Sequence, residues 1–396
     1  INPMFKQLTE AQLDPILSLS IAYREDDRTD KMDLGIGVYR NSQGETPIMR
    51  AVQQAQLQVL ATQTTKAYVG LAGSEVFNQS MMDLLLTDTS AYSRAAAVQT
   101  PGASGALRML ADLMCIAQPE TTVWISNPSY VNHKPIMEAA GLKVRYYPYF
   151  DAVTKQVDSH AMLSELAKAG PKDVVLLHGC CHNPTGADIT LSDWKSITDL
   201  ANKNGFMPFV DIAYQGFGDG LEQDAAGLKH MADNTEEMII ATSCSKNFGL
   251  YRERTGAAIV ISDSLKESQK AKGRILNLAR STYTMPPDHG AALVATILSD
   301  LSLTQIWKQE LDEMLGRLLG LRAGLTKAVR AQGSNDFDFI EQHKGMFSVT
   351  GLTPAQIGRL RDEFAIYAVA DGRINIAGLQ EQQLDYLANA LVTVSR

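Results

Sequence analysis

The feature that most constrains the fold lies between residues 95 and 262, where short apolar runs are interleaved with helical patterns and loops. The runs are AAAVQT (95–100), TTVWIS (121–126), LKVRYYPY (142–149), DVVLLHG (173–179), FMPFVD (206–211), MIIAT (238–242) and GAAIVI (256–261). Stretches such as GALRMLADLMCIA (105–117) and HKPIMEAAG (133–141) fall between them. Such interleaving predicts an α/β fold with an open, mainly parallel seven-stranded sheet covered by helices on both faces. Ligands of open parallel sheets bind beyond the carboxyl ends of the strands. The loops after each strand are therefore where chemistry is to be sought.

The chain has 396 residues and is 45% hydrophobic, more than one core usually serves, so two domains are expected. Residues 287–332 carry apolar positions at helical spacing and read as two helices, the second long enough to bridge domains. After them, FDFIEQHKGMFSVTGL, a helix ending in RDEFAIYAV, GRINIAG and a last helix read as a small α+β unit. The expected division is a large domain at 46–312, a small C-terminal domain at 313–396, and an N-terminal segment, 1–45, packed on the small one.

A formal net charge of −8 argues against nucleic acid or an anionic membrane as a constant partner. No window reaches the ~18 apolar residues of a membrane helix, and INPMFKQLTE lacks a signal-peptide pattern, so a cytoplasmic location is expected. Four cysteines, two adjacent and none in a CxxC pair, read as reduced thiols rather than as a disulfide framework or zinc site.

The strand ends carry the chemistry. In QTPGASGALRML, Gly102, Ala103, Ser104 and Gly105 stand between strand and helix, where small residues let backbone N–H groups approach an anion; an ordinary tight turn has the same composition. DVVLLHGCCHNPTG ends a strand with His178, His182 and Asn183. Two histidines four apart at a strand end do not share a helical face, so no metal site is expected, whereas Asn183 offers an amide donor. Asp211 ends a strand buried on both faces and should meet a cation or several donors, with the phenol of Tyr214 three residues on. SCSKNFGLYRERTG (243–256) adds Ser243, Ser245, Lys246 and Arg254. A lysine at a buried strand end, its pKa lowered by burial and neighbouring cations, is a competent Schiff-base amine. An amine, a buried carboxylate, a phosphate cradle and amide plus phenol donors together are the groups that pyridoxal phosphate requires.

With GIGVYR (35–40), TPGASGALR (100–108), SNPSYVNHK (126–134), HGCCHNPTG (178–186), DIAYQGF (211–217), SCSKNFGLYRERTG, YTMPPDHG (283–290) and GRINIAG (372–378), the chain resembles, nearly end to end, the aspartate/aromatic subgroup of fold-type I aminotransferases. The resemblance implies Lys246 as Schiff-base lysine, Asp211 on the pyridine nitrogen with His133 behind it, and Asn183 and Tyr214 on the phenolate oxygen. It implies Gly102, Ala103, Ser104, Ser243 and Arg254 around the phosphate, joined by Tyr68 of the other subunit. The implied assembly is a homodimer with shared active sites. Arg373 would take the substrate's α-carboxylate, Arg280 of the other subunit its side-chain carboxylate, and Gly37 would line the passage. Tyr130 stands where most of the subgroup has a tryptophan over the cofactor. Ser104, Ala67 and Met285 replace the threonine and asparagines usual in aspartate-specific members, which tilts the expectation toward a pocket accepting aromatic side chains.

The implied reaction is ping-pong transamination between an aromatic amino acid or aspartate and 2-oxoglutarate, with strict aspartate transamination as the alternative. A lyase or decarboxylase on the same cofactor and a non-catalytic sensor module are the remaining rivals. Neither a DNA-binding segment nor a basic stretch accompanies the motifs.

Overall fold

The computed structural model describes residues 3–396. Eleven strands are described: β1 (Met32–Asp33), β2 (Ala95–Pro101), β3 (Thr122–Asn127), β4 (Lys143–Pro148), β5 (Asp173–His178), β6 (Met207–Ile212), β7 (Met238–Ser243), β8 (Thr255–Ile261), β9 (Phe347–Val349), β10 (Ile366–Tyr367) and β11 (Arg373–Asn375). Seven form the central sheet in the order β2-β8-β7-β6-β5-β3-β4. The contacts β4–β3, β3–β5, β5–β6 and β6–β7 are parallel, and β8 runs against both neighbours, β7 and β2. The mainly parallel α/β sheet expected from the apolar runs is the sheet observed.

Side chains of each strand alternate between two buried layers, the reason these strands read as unbroken apolar runs. Val98, Val123, Leu176, Phe209 and Ile239 face one layer, packed with Leu107 and Leu110 of the helix Gly102–Ala117. Trp124, Val175, Leu177, Val210 and Ile240 face the other. Burial of both faces leaves the strand ends as the only outlet for polar side chains.

The two helices expected in 287–332 are Asp288–Leu298 and Leu301–Ala331. The second, 31 residues long, extends roughly 46 Å. At one end Trp307 stacks on Phe248, with ring centroids 4.3 Å apart, and donates from Nε1 to the carbonyl of Asn247, next to Lys246. About four turns further on Arg322 is buried among the C-terminal elements. The lysine loop and the C-terminal unit are thus braced by one rod.

In that unit β9 pairs antiparallel with β11. β1 pairs in parallel with β10, and Arg28 donates to the carbonyls of Arg361 and Asp362, fastening the N-terminal segment to C-terminal elements. Among the described residues no single helix is long and apolar enough to cross a membrane. All four cysteines are free thiols; Cys180, Cys181 and Cys244 are buried and Cys115 partly so.

Candidate active site

Strands β5, β6 and β7 and the start of the helix Gly102–Ala117 converge on a cavity of about 150 Å³. It is lined by Ala103, Ser104, Leu107, Tyr130, His178, Cys180, Asn183, Asp211, Ala213, Tyr214, Ser243, Ser245, Lys246 and Arg254. A larger groove of about 810 Å³ lies near Arg94, Glu237 and Asp263, but its one arginine is committed to backbone carbonyls.

One end of the cavity is an anion cradle. The helix Gly102–Ala117 begins without a side-chain cap, so its first N–H groups and its dipole are free to meet negative charge. Gly102 has φ +66°, and a Cβ there would lie 2.3 Å from Nη2 of Arg254. The conformation favours glycine, and a side chain there would displace the Arg254 guanidinium. Arg254 itself has φ +52° and is steered by bonds from Nη1 to the Tyr251 carbonyl (3.1 Å) and to Ser245 Oγ (3.4 Å). Ser243 Oγ accepts from the backbone N–H of Ser245 at 3.0 Å.

At the other end Asp211, the penultimate residue of β6, lies beside His178 of β5 and Ala241 of β7. Its Oδ2 lies 2.7 Å from His133 Nε2, while Oδ1 is buried with no partner. An orphaned carboxylate oxygen is costly, and a protonated ring nitrogen is the donor it lacks. Behind it, Ser129 Oγ is 3.0 Å from His133 Nδ1 and 3.2 Å from His178 Nε2. His182, tilted against His178 with ring centroids 4.0 Å apart, has both ring nitrogens engaged by hydroxyls: Nε2 with Ser126 Oγ at 2.9 Å and Nδ1 with Thr185 Oγ1 at 2.7 Å. Burial pushes both imidazoles well below their ordinary pKa, so they are neutral partners of those hydroxyls.

Between the two ends stands Lys246, its Nζ 4.9 Å from the centre of the Tyr214 ring. Burial lowers the amine's pKa; Tyr130 and Asp211 oppose the shift, Arg254 and Arg373 add to it. Burial also holds the Tyr214 phenol protonated well above its usual range, with Arg373 pulling the other way. Tyr130 contacts His133 edge to face at 5.2 Å and its hydroxyl accepts from Asn132 Nδ2 at 3.0 Å.

Arg373, buried at the start of β11, donates from Nη1 to Asn183 Oδ1 (3.2 Å) and from Nη2 to the Gly35 carbonyl (2.7 Å); its Nε has no partner. Gly35, not Gly37, touches this guanidinium, whereas Gly37 faces the ring of Phe347. Two residues lie apart within the chain. Tyr68 is 87% exposed, and Arg280 is on the surface with Nη1 bonded to Thr284 Oγ1 at 2.8 Å. Met285 lies near that region, its sulfur 3.1 Å from the Val69 amide.

Sequence reasoning named Ser245 at the strand end without giving it a role, did not place Cys180 in the pocket, and missed Ser129 and Phe347. Ser129 had a detectable signal, since it precedes His133 by four positions in SNPSYVNHK. The Phe347 ring, 4.2 Å from the Arg373 guanidinium carbon, had none, for 26 residues separate the two.

A doubly covered parallel sheet with an amine, an unpartnered carboxylate and an anion cradle at its strand ends defines a class: α/β enzymes built around a phosphorylated, ring-nitrogen cofactor. Residues 29–391 match the family model for aminotransferase class I and II, and the chain belongs to that family. The aromatic-amino-acid aminotransferase of Paracoccus denitrificans is 46% identical over 382 residues, 96% of this chain and 97% of that protein. The aspartate aminotransferase of Salmonella typhi is 45% identical over 395 residues, 99% of this chain and 100% of its own. The structure of the aromatic-amino-acid aminotransferase from Burkholderia pseudomallei, covalently bound to pyridoxal phosphate, superposes with a TM-score of 0.97 at 39% identity, covering 100% of both chains. Identity alone does not separate the two substrate names, so the pocket must.

Proposed function

We propose that this chain is a pyridoxal-phosphate-dependent aminotransferase that moves the amino group of an aromatic amino acid, and also of aspartate, to 2-oxoglutarate by a ping-pong mechanism. The observation that carries the reading is that Lys246 and Asp211, whose Oδ1 has no partner, line one cavity closed at its far end by an uncapped helix N-terminus.

When bound, the cofactor supplies an electron sink for the pair left at the substrate's α-carbon. Gly102, Ala103, Ser104, Ser243, Ser245 and Arg254 hold its phosphate, Asp211 its ring nitrogen, and Asn183 and Tyr214 its phenolate oxygen. His133 orients Asp211 from behind. Lys246 Nζ takes the α-proton and holds it for return; the burial that lowers its pKa keeps a larger share of it in the neutral, basic form near pH 7. Arg373 binds the α-carboxylate as a two-pronged fork, the geometry a lysine cannot offer.

Arg280 and Tyr68 complete the site from the second subunit of a homodimer, a reading supported by their outward placement within one chain. Exposed Leu57 and Leu60 supply apolar surface for such an interface. The division into a large unit at 46–312 and a small one at 313–396, with 1–45 packed on it, belongs to the same reading and is supported by the pairing of β1 with β10. A cytoplasmic location is its remaining part. The aromatic lean rests on Tyr130, Ser104, Ala67 and Met285.

The test is kcat/KM for aspartate, phenylalanine, tyrosine and tryptophan with 2-oxoglutarate as acceptor. The reading predicts that an aromatic substrate equals or exceeds aspartate. A preference for aspartate above about a hundredfold, roughly 2.7 kcal/mol of transition-state binding, would mark a strict aspartate enzyme instead.

A further inference from the structure

Arg322 is 1% exposed, yet none of the groups its guanidinium bonds is a carboxylate. Nη2 donates to the carbonyls of Gly345 (2.6 Å) and Phe347 (2.8 Å), and Nη1 to Ser348 Oγ (2.7 Å) and the Ile340 carbonyl (3.0 Å). Burial pushes its pKa down to about 10. A buried cation hydrogen-bonded only to neutral acceptors, with its Nε unpartnered, is costly to keep, and four acceptors shared between Nη1 and Nη2 suit a guanidinium fork better than an ammonium.

The backbone it grips borders the site. Gly345 packs so closely on Cys181 that a Cβ would lie 2.4 Å from that residue's Cβ, and the Lys344 amide donates to the Gly186 carbonyl at 2.7 Å. Phe347 opens β9, pairs with Asn375 of β11, and lays its ring 4.2 Å from the guanidinium carbon of Arg373. Gly35 and Asn183 hold two nitrogens of Arg373; the Phe347 ring is the remaining constraint, on the face of the guanidinium.

We propose that Arg322 is a positioning residue for substrate binding: by fixing the backbone at Phe347 it sets the ring against which the carboxylate-binding guanidinium of Arg373 is aligned. This rests on the role given to Arg373 above. Without the fork the Phe347 carbonyl is orphaned, the ring shifts, and carboxylate affinity falls, while the proton-transfer groups around Lys246 keep their places.

The experiment measures succinate binding to holoenzyme by calorimetry, alongside Tm, kcat and KM, for Arg322→Lys, Ser348→Ala, Phe347→Leu and Arg373→Lys. Arg322→Lys should keep its cofactor, bind succinate about five- to thirtyfold more weakly, and raise KM for phenylalanine and 2-oxoglutarate alike with kcat within about threefold. Ser348→Ala, which keeps the charge and removes one acceptor, should weaken succinate by about two- to fivefold and serves if the lysine variant does not fold. In the Phe347→Leu background, Arg322→Lys should add less than about twofold, since both act through one ring. Wild-type succinate affinity in folded Arg322→Lys or Ser348→Ala, whatever the Tm, overturns the proposal, as does a fully multiplicative double variant. If Arg373→Lys binds succinate normally, the role given to Arg373 fails and this inference with it; if only Arg373→Lys weakens binding, this inference alone fails.

Discussion

His133 and Asp211 share a hydrogen bond of 2.7 Å, while the second oxygen of Asp211 is buried without a donor. The pair is thus half complete within the protein and directed at something that donates. Asp211→Ala should lower kcat/KM by about a thousandfold or more, near 4 kcal/mol of lost transition-state stabilisation, because the carbanion sink then loses its counter-charge. His133→Asn, which only loosens the carboxylate, should lower it by about tenfold. Steady-state assays of the two variants with phenylalanine and 2-oxoglutarate check the order.

Arg280 tests the substrate reading. It lies on the surface, and its guanidinium is held by one side-chain hydrogen bond, to Thr284. Arg280→Ala should reduce kcat/KM for aspartate by about a hundredfold and for phenylalanine by less than about threefold. A crystal structure with an aromatic inhibitor should find Arg280 turned to solvent, since burying it unpaired beneath a ring would be costly. Equal losses on both substrates, or an unmoved Arg280, would count against a dual-substrate pocket.

Sharing of sites can be read by complementation. Lys246→Ala and Arg280→Ala dimers should each be poor aspartate enzymes. After subunit exchange at equal concentrations, half the dimers are hybrids carrying one intact site, so about a quarter of wild-type activity should return. No recovery in demonstrably mixed dimers would place Arg280 in its own subunit's site.

The buried imidazole of His343 makes stability depend on acid. Its Nε2 bonds the Lys155 carbonyl at 2.7 Å and its Nδ1 the Ser348 hydroxyl at 2.9 Å, and burial, aided by Arg322, pushes its pKa down from 6.5 to about 4. The unfolded chain therefore binds this proton first. Stability is complete above about pH 6.5 and falls by about 1.4 kcal/mol per pH unit toward pH 4, roughly 3 kcal/mol in all. His178 and His182 act in the same direction. Asp188, pushed up to about 6, acts oppositely, losing stability as pH rises from 3.8 through 6. Urea titrations of wild type and His343→Gln at pH 7 and pH 5 isolate the histidine: the gap between the two proteins should narrow as pH falls. A constant gap would refute the assignment.

What was legible in the sequence follows from how parallel sheets work. Strand ends announce themselves locally, so Lys246, Asp211, Asn183, Tyr214, Ser243 and the Gly102–Gly105 turn could be found from short motifs, and the sheet brings them to one cavity. Contacts made by packing across distant segments were not legible. Ser129 and His178 are 49 residues apart, and the fork of Arg322 reaches carbonyls 18, 23 and 25 positions away. That the Gly35 carbonyl meets Arg373 was not legible either, because the register of β11 against the N-terminal segment decides it. Tyr68 and Arg280 were legible as motif positions, and neither lines the cavity within one chain.

The central claim, that this cavity transfers an amino group and keeps it until an acceptor arrives, has a direct test. Holoenzyme mixed with excess phenylalanine and no 2-oxo acid should release one equivalent of phenylpyruvate per subunit and stop, with neither ammonia nor carbon dioxide evolved; added 2-oxoglutarate should restart turnover and yield glutamate. Continued turnover without acceptor, or release of ammonia or carbon dioxide, would contradict the account and mark a lyase or decarboxylase on the same fold.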